Sequence, residues 1–156
     1  VLETMLTAKS MDCQEKHIQM TSVADGRALN FLTTREICTI VGTALDNAVE
    51  SCAAEPDPEK RLIRTAVYVQ NGFVMFRFEN YCAEPVELGP DGLPARSTHG
   101  GYDLKSLRAL AQQHGGSLTG RTGGSRCGCC CRCRKKHKRE GAFCKLHKCS
   151  LLFFVY

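Results

Sequence analysis

Gly42-Thr43-Ala44-Leu45-Asp46-Asn47-Ala48-Val49-Glu50 sets a polar Asp-Asn pair inside an otherwise apolar helical run. Ile37, Ile40, Val41, Ala44, Leu45, Ala48, Val49 and Cys52 recur at the three- and four-residue spacing of a buried helix face. Asn47 lies seven residues after Ile40, so it falls on that face or at its edge. An inward-facing amide loses water and must find a partner. Two readings stand: an amide that bonds a neighbouring backbone group, and an amide whose oxygen serves a hard cation such as Mg²⁺.

Outward from this run, Thr33 and Glu36 have the spacing of a capping box that opens the helix. Glu55-Pro56-Asp57-Pro58 closes it, because each proline disfavours helical geometry in the residue before it. Upstream, residues 2–15 read as a helix with Leu2, Met5 and Leu6 on one side, and His17 to Val23 alternates like a strand. Asp25-Gly26 predicts a turn and Ala28 to Phe31 a short strand. Downstream, Leu62 to Gln70 and Phe73 to Asn80 are strand-like runs around Asn71-Gly72, a dipeptide that tolerates the positive φ angles of a type I′ hairpin turn. Residues 81–100 show no period and predict a long loop of the kind that forms functional lids. Leu104, Leu107, Leu110 and Ala111 predict a second buried helix, stopped by Gly115-Gly116, and Ser117-Leu118-Thr119 begins another strand. The order predicts an α/β fold, a mixed sheet covered on one face by helices.

A chain of 156 residues suffices for one domain with its own core and is short for two. It begins at Val1, as expected of a piece of a longer protein. No apolar run reaches the length of a membrane span and no signal peptide opens the chain, so any membrane attachment is expected outside it. The net charge of +5 hides two opposite halves. Residues 1–120 carry 11 Lys/Arg against 15 Asp/Glu, a balance of −4, while residues 121–156 carry 10 Lys/Arg and only Glu140, a balance of +9. Cys13, Cys38, Cys52 and Cys82 are scattered, in keeping with a reducing compartment, whereas seven cysteines crowd into residues 127–149. Composition therefore divides near Gly123-Gly124.

Gly100-Gly101-Tyr102-Asp103-Leu104-Lys105-Ser106 is a glycine-rich opening of a helix. Free backbone N–H groups and the positive end of the helix dipole favour a phosphate there, and Lys105 adds a charge. The same stretch also reads as ordinary punctuation before an N-capping Asp.

A helix carrying Leu45-Asp46-Asn47-Ala48-Val49-Glu50, a hairpin ending in Asn80, a long loop, and Leu104-Lys105-Ser106-Leu107 followed by Gly115-Gly116 resembles the GHKL ATPase family. It looks most like the catalytic ATP-binding domain of sensor histidine kinases, in the branch that responds to quorum-sensing peptides, over residues 1 to about 122. The resemblance implies a two-layer α/β sandwich of the Bergerat type, with ATP and Mg²⁺ held between helices and sheet. It implies that Asn47 coordinates Mg²⁺, that Asp46 borders the nucleotide, and that Asn80 stands where many members carry an Asp that reads the adenine amino group. Gly101 and the helix turn from Leu104 would approach the phosphates, with Lys105 beside them. Thr43 holds the catalytic helix position where many relatives have a carboxylate or amide.

The implied reaction is transfer of the γ-phosphate to a histidine. His17, His99, His114, His137 and His147 lie in no N-terminal helical hairpin, so the acceptor is expected outside this chain. The implied partners are the dimerisation and phospho-acceptor domain of the same kinase, a second copy through that missing segment, and a response regulator, with no nucleic acid. The implied place is the cytoplasmic side of a membrane-anchored protein. Three positions depart from the family pattern: Thr43; Asp103, where a second glycine is usual and a carboxylate would repel phosphate; and a short lid running through Arg96-Ser97-Thr98-His99. These departures keep open a second reading, a nucleotide-binding or interaction domain without transfer activity.

The chain thus divides into residues 1–15, the end of a linker or dimerisation helix; 16–122, the ATP-binding domain; and 123–156, a basic cysteine-rich tail. Cys130-x-x-Cys133 with Cys144 and Cys149 has the number of thiolates a zinc site needs, but the spacing is irregular. A tail acting through zinc or through nucleic-acid charge is the third reading. The abrupt change of composition where the family closes its sheet is better explained by a shifted reading frame after Thr122 than by a zinc module. Ser150 to Tyr156 nonetheless has the apolar character of a strand able to complete the sheet.

Overall fold

The computed structural model describes residues 1–82, 87–90, 92–93, 104–124 and 147–155. Its helices are α1 (Leu2–Glu15), α2 (Thr34–Ala53) and α3 (Leu104–Gln113), and its strands are β1 (Gln19–Ala24), β2 (Leu62–Gln70), β3 (Phe73–Cys82), β4 (Ser117–Gly124) and β5 (His147–Val155). The strands make a single mixed sheet in the order β1-β2-β3-β5-β4. β1 and β2 are parallel, the connection between them being long enough to carry α2, and the other pairs are antiparallel.

α2 forms where its periodicity predicts. Ile37, Ile40, Val41, Ala44, Leu45, Ala48, Val49 and Cys52 are all buried, and Thr43 is buried with them. The capping box is complete: the Glu36 carboxylate accepts from the Thr33 N–H at 2.7 Å, and Thr33 Oγ1 accepts from the Glu36 N–H at 3.3 Å. α1 and α3 pack against α2. Their buried residues, Leu2, Leu6 and Cys13 of α1 and Leu104, Leu107 and Ala111 of α3, join one core with Ile63, Val67, Phe76, Phe78, Leu118 and Val155 of the sheet. Each large side chain buried in this way contributes about 1.5–3 kcal/mol of transfer free energy, which holds helices and sheet together as two layers. Among the described residues no helix is long and apolar enough to cross a membrane.

The hairpin turn has the expected geometry, with φ of 52° at Asn71 and 83° at Gly72. Three local features differ from the sequence expectation. The predicted strand over Ala28 to Phe31 is replaced by a 3₁₀ turn, Gly26–Leu29, because the Asp25 side chain accepts from the Arg27 N–H at 3.1 Å and curls the chain, burying Leu29. His17 does not open a strand; it caps α1. With φ of 55°, it directs its own N–H to the Gln14 carbonyl and the Ile18 N–H to the Cys13 carbonyl, a Schellman closure. Finally, β3 continues two residues beyond Asn80 to Cys82.

The last strand lies inside the sheet rather than at its rim. β5 pairs with β3 from Val74↔Val155 to Cys82↔His147, and with β4 from Ser117↔Phe154 to Gly124↔His147. The cysteine-rich segment 125–146, with its candidate zinc ligands Cys130, Cys133 and Cys144, falls outside the described residues.

Candidate functional site

Helical and strand periods bring four polar residues to the space between α2 and the middle of the sheet. Thr43 and Asn47, four residues apart, share one face of α2. In β3, Asn80 lies in phase with buried Phe78 and Phe76, and in β2, Thr65 lies in phase with buried Ile63 and Val67. The register sets Ile63 opposite Asn80 and Thr65 opposite Phe78, so the two polar residues are diagonal neighbours on the helix-facing side.

Thr43, Thr65 and Asn80 are 5%, 3% and 6% exposed. Thr43 Oγ1, Thr65 Oγ1 and Asn80 Nδ2 have no hydrogen-bond partner among the described residues. A buried polar group left unpaired costs about 1–3 kcal/mol. Three of them lie on one inner surface, and within the described residues folding leaves each without the partner that buried polar groups ordinarily find.

Asn47 makes the backbone bond of the first of its two sequence readings. Its Nδ2 donates to the Thr43 carbonyl one turn back at 2.7 Å. That bond fixes the amide and leaves Oδ1, the atom a hard cation takes, without a partner among the described residues. Mg²⁺ bound to a nucleotide needs only one or two protein oxygens, so this donor set fits it.

Asp46, its neighbour, is turned toward α1. Its carboxylate accepts from Lys9 Nζ at 2.7 Å and is 61% exposed. The same hydrogen bond is the main reason the Lys9 ammonium titrates above its ordinary range. Leu104, the first residue of α3, is buried, and Lys105 is exposed in the first turn. The N–H groups of that turn have no partner within the helix and suit an anion. Gly101 and Asp103 lie outside the described residues.

The sequence reading passes over Thr65. Its signal is a polar residue in the apolar phase of Ile63-Thr65-Val67, which is faint because threonine is at home in strands. Glu79, next to Asn80 in the chain, points to the opposite face, where Arg77 Nε donates to its carboxylate at 2.7 Å. It therefore takes no part in the site.

Comparison with known proteins bears on this arrangement. A profile described as the GHKL domain matches residues 32–122, more than half of the chain. Solved structures of the catalytic domain of histidine kinase ThkA share the fold. One nucleotide-free form superposes with a TM-score of 0.60 at 13% identity, covering 99% of this chain and 91% of that one. Another gives 0.59 at 11% identity, covering 97% and 88%. No curated protein sequence matches the chain. The mixed sheet under one layer of helices is thus the Bergerat fold of histidine kinase catalytic domains, and by its sequence match this chain belongs to the GHKL family.

Proposed function

We propose that this domain binds Mg-ATP between α2 and the sheet and serves as the catalytic domain of a two-component sensor histidine kinase. The observation that carries the reading is the Asn47 amide, pinned by its nitrogen and open at its oxygen among the described residues, beside buried polar groups that have no partner there either. Asn47 would hold Mg²⁺, Asn80 would meet the adenine edge, and the first turn of α3 with Lys105 would lie against the phosphates, joined by Gly101. The metal supplies neutralisation of phosphate charge, and the chain supplies position. In-line phosphoryl transfer depends chiefly on these two contributions.

The γ-phosphate would pass to a histidine on the dimerisation domain of the same kinase, outside this chain, and from there to a response regulator. The motif over Leu45 to Glu50 supports placing the kinase in the branch that answers quorum-sensing peptides. A homodimer anchored in a membrane, with this domain on the cytoplasmic side, completes the reading.

Titration of the full chain with ATP, with and without Mg²⁺, tests it. Binding is expected to need the metal and to weaken about tenfold or more in Asn47→Ala, the loss typical of a charge-assisted contact. Tight binding that ignores both changes would sink the proposal.

One observation favours a second reading, nucleotide binding without transfer. Thr43 presents a buried hydroxyl where a carboxylate or amide would activate the acceptor, and a threonine hydroxyl is a poor base. Incubating the full chain and labelled ATP with an isolated phospho-acceptor hairpin separates the two. Label on the hairpin histidine supports the kinase, whereas binding without label supports the second reading.

A further inference from the structure

We propose that Lys9 makes nucleotide binding depend on the seating of α1 against α2, by neutralising the carboxylate next to Asn47. The inference rests on the nucleotide-site reading above and extends it to a positioning residue outside the site. α1 is fastened along α2 at three levels. Near its start, Met5 packs over Gly42, its Cε 3.8 Å from the place a Cβ would take there. One turn further along α2, Lys9 Nζ donates to the Asp46 carboxylate at 2.7 Å, and it also donates to Asp12 of its own helix at 3.2 Å. At the C-terminal ends, Arg61 donates through Nη1 to the Lys16 carbonyl after α1 and through Nε to the Glu55 carbonyl after α2, each at 2.8 Å.

Asp46 and Asn47 are consecutive, with Cα atoms about 3.8 Å apart. A carboxylate at Asp46 is therefore on the order of 10 Å from a polyphosphate held through a metal on Asn47, which is the Debye length at 0.1 M salt. Left bare, it repels the phosphates; paired with an ammonium, it presents almost no net charge to them. The pair joins two elements, because Lys9 stands on α1, 37 residues before Asp46. Asp46 is 61% exposed and Lys9 only 25%, so it is the packing of α1 that delivers the cation. A displacement of α1 takes the cation away and leaves the carboxylate beside the site. Such an exposed pair adds little to stability, so its loss leaves the fold in place and falls on the anionic ligand.

Calorimetric titration of the full chain with the β,γ-imido analogue of ATP in Mg²⁺ tests the inference, each variant being compared with wild type at low salt and at about 0.5 M salt. At low salt Lys9→Gln is expected to weaken binding about threefold to tenfold, and at high salt the gap should shrink to about twofold or less. Adding Asp46→Asn to Lys9→Gln should restore the wild-type constant to within about twofold. Binding unchanged by Lys9→Gln overturns the inference and leaves the nucleotide site standing. A loss that persists at high salt or in the double variant also overturns it, since that loss comes from packing and not from charge. Asp46→Asn alone decides the sign where the Lys9 variant does not fold. It leaves Lys9 without its opposite charge on α2, so it should bind as tightly as wild type or more tightly, and a loss beyond about threefold overturns the inference. Failure of the wild-type chain to bind the analogue at all overturns the nucleotide reading and this inference together.

Discussion

The Asn47 amide donates to the Thr43 carbonyl at 2.7 Å, one turn back along α2, and this bond fixes where its oxygen lies. Asn47 stood out because an amide interrupts a run of eight apolar helix positions, and its polar environment could be anticipated from that alone. Thr65 was silent, because a β-branched hydroxyl residue suits any strand and its burial depends on what lies above it. His17 was misread for a related reason. Its left-handed backbone, φ 55°, is set by the closure of α1, which the side chain does nothing to announce. A residue with a Cβ is strained there, and glycine is not. His17→Gly is therefore expected to stabilise the domain by about 1 kcal/mol, seen as a rise of about 3 °C in the thermal midpoint. A fall in the midpoint would show that the exposed imidazole contributes more than its backbone costs.

At the scale of elements, α2 and α3 are joined by a contact that no local pattern contains. Glu36 caps α2 through Thr33, and the same carboxylate meets His114 Nε2, just beyond α3, at 2.8 Å. The His114 ring in turn lies edge-on to Phe31 at 5.8 Å between centroids. The hydrogen bond from His114, then those from Thr33, pull the Glu36 carboxyl down to about 2 from its ordinary 4.5. A carboxyl lowered in the folded state contributes stability that is present above its unfolded value and is lost as pH falls toward the folded one. In urea unfolding, Glu36→Ala should cost about 1–2 kcal/mol at pH 6, and the gap from wild type should close between pH 4.5 and pH 2. A gap that stays constant across this window would mean that the carboxylate charge contributes nothing. The capping half of this arrangement was visible as Thr33 with Glu36, whereas the bond to His114 spans 78 residues of chain and required the packing of both helices.

For the whole molecule, the decisive feature is the position of β5. Among the described strands β4 is hydrogen-bonded to the sheet through β5, and β3 would present an open edge to it without that strand. A chain ending at Gly124 is thus expected to lose cooperative urea unfolding, while one in which residues 125–146 are replaced by a short Gly-Asn turn should keep it. Closing so short a loop in register costs less than losing two strand interfaces. Circular dichroism across a urea series checks both, and a folded truncation would show that the strand is dispensable. Composition suggested a division near Gly123-Gly124, yet the sheet pairs residues on both sides of it. Periodicity by itself determined the helices, the Asn71-Gly72 hairpin and the polar face of α2, because these depend on contacts a few residues apart. Only the tertiary structure decided that the last apolar run enters the sheet between β3 and β4, that Asp46 turns to Lys9, and that Thr65 and Asn80 lie on the same helix-facing side as Thr43. Those outcomes depend on strand order and on which faces meet, and the free energy of long-range burial settles both.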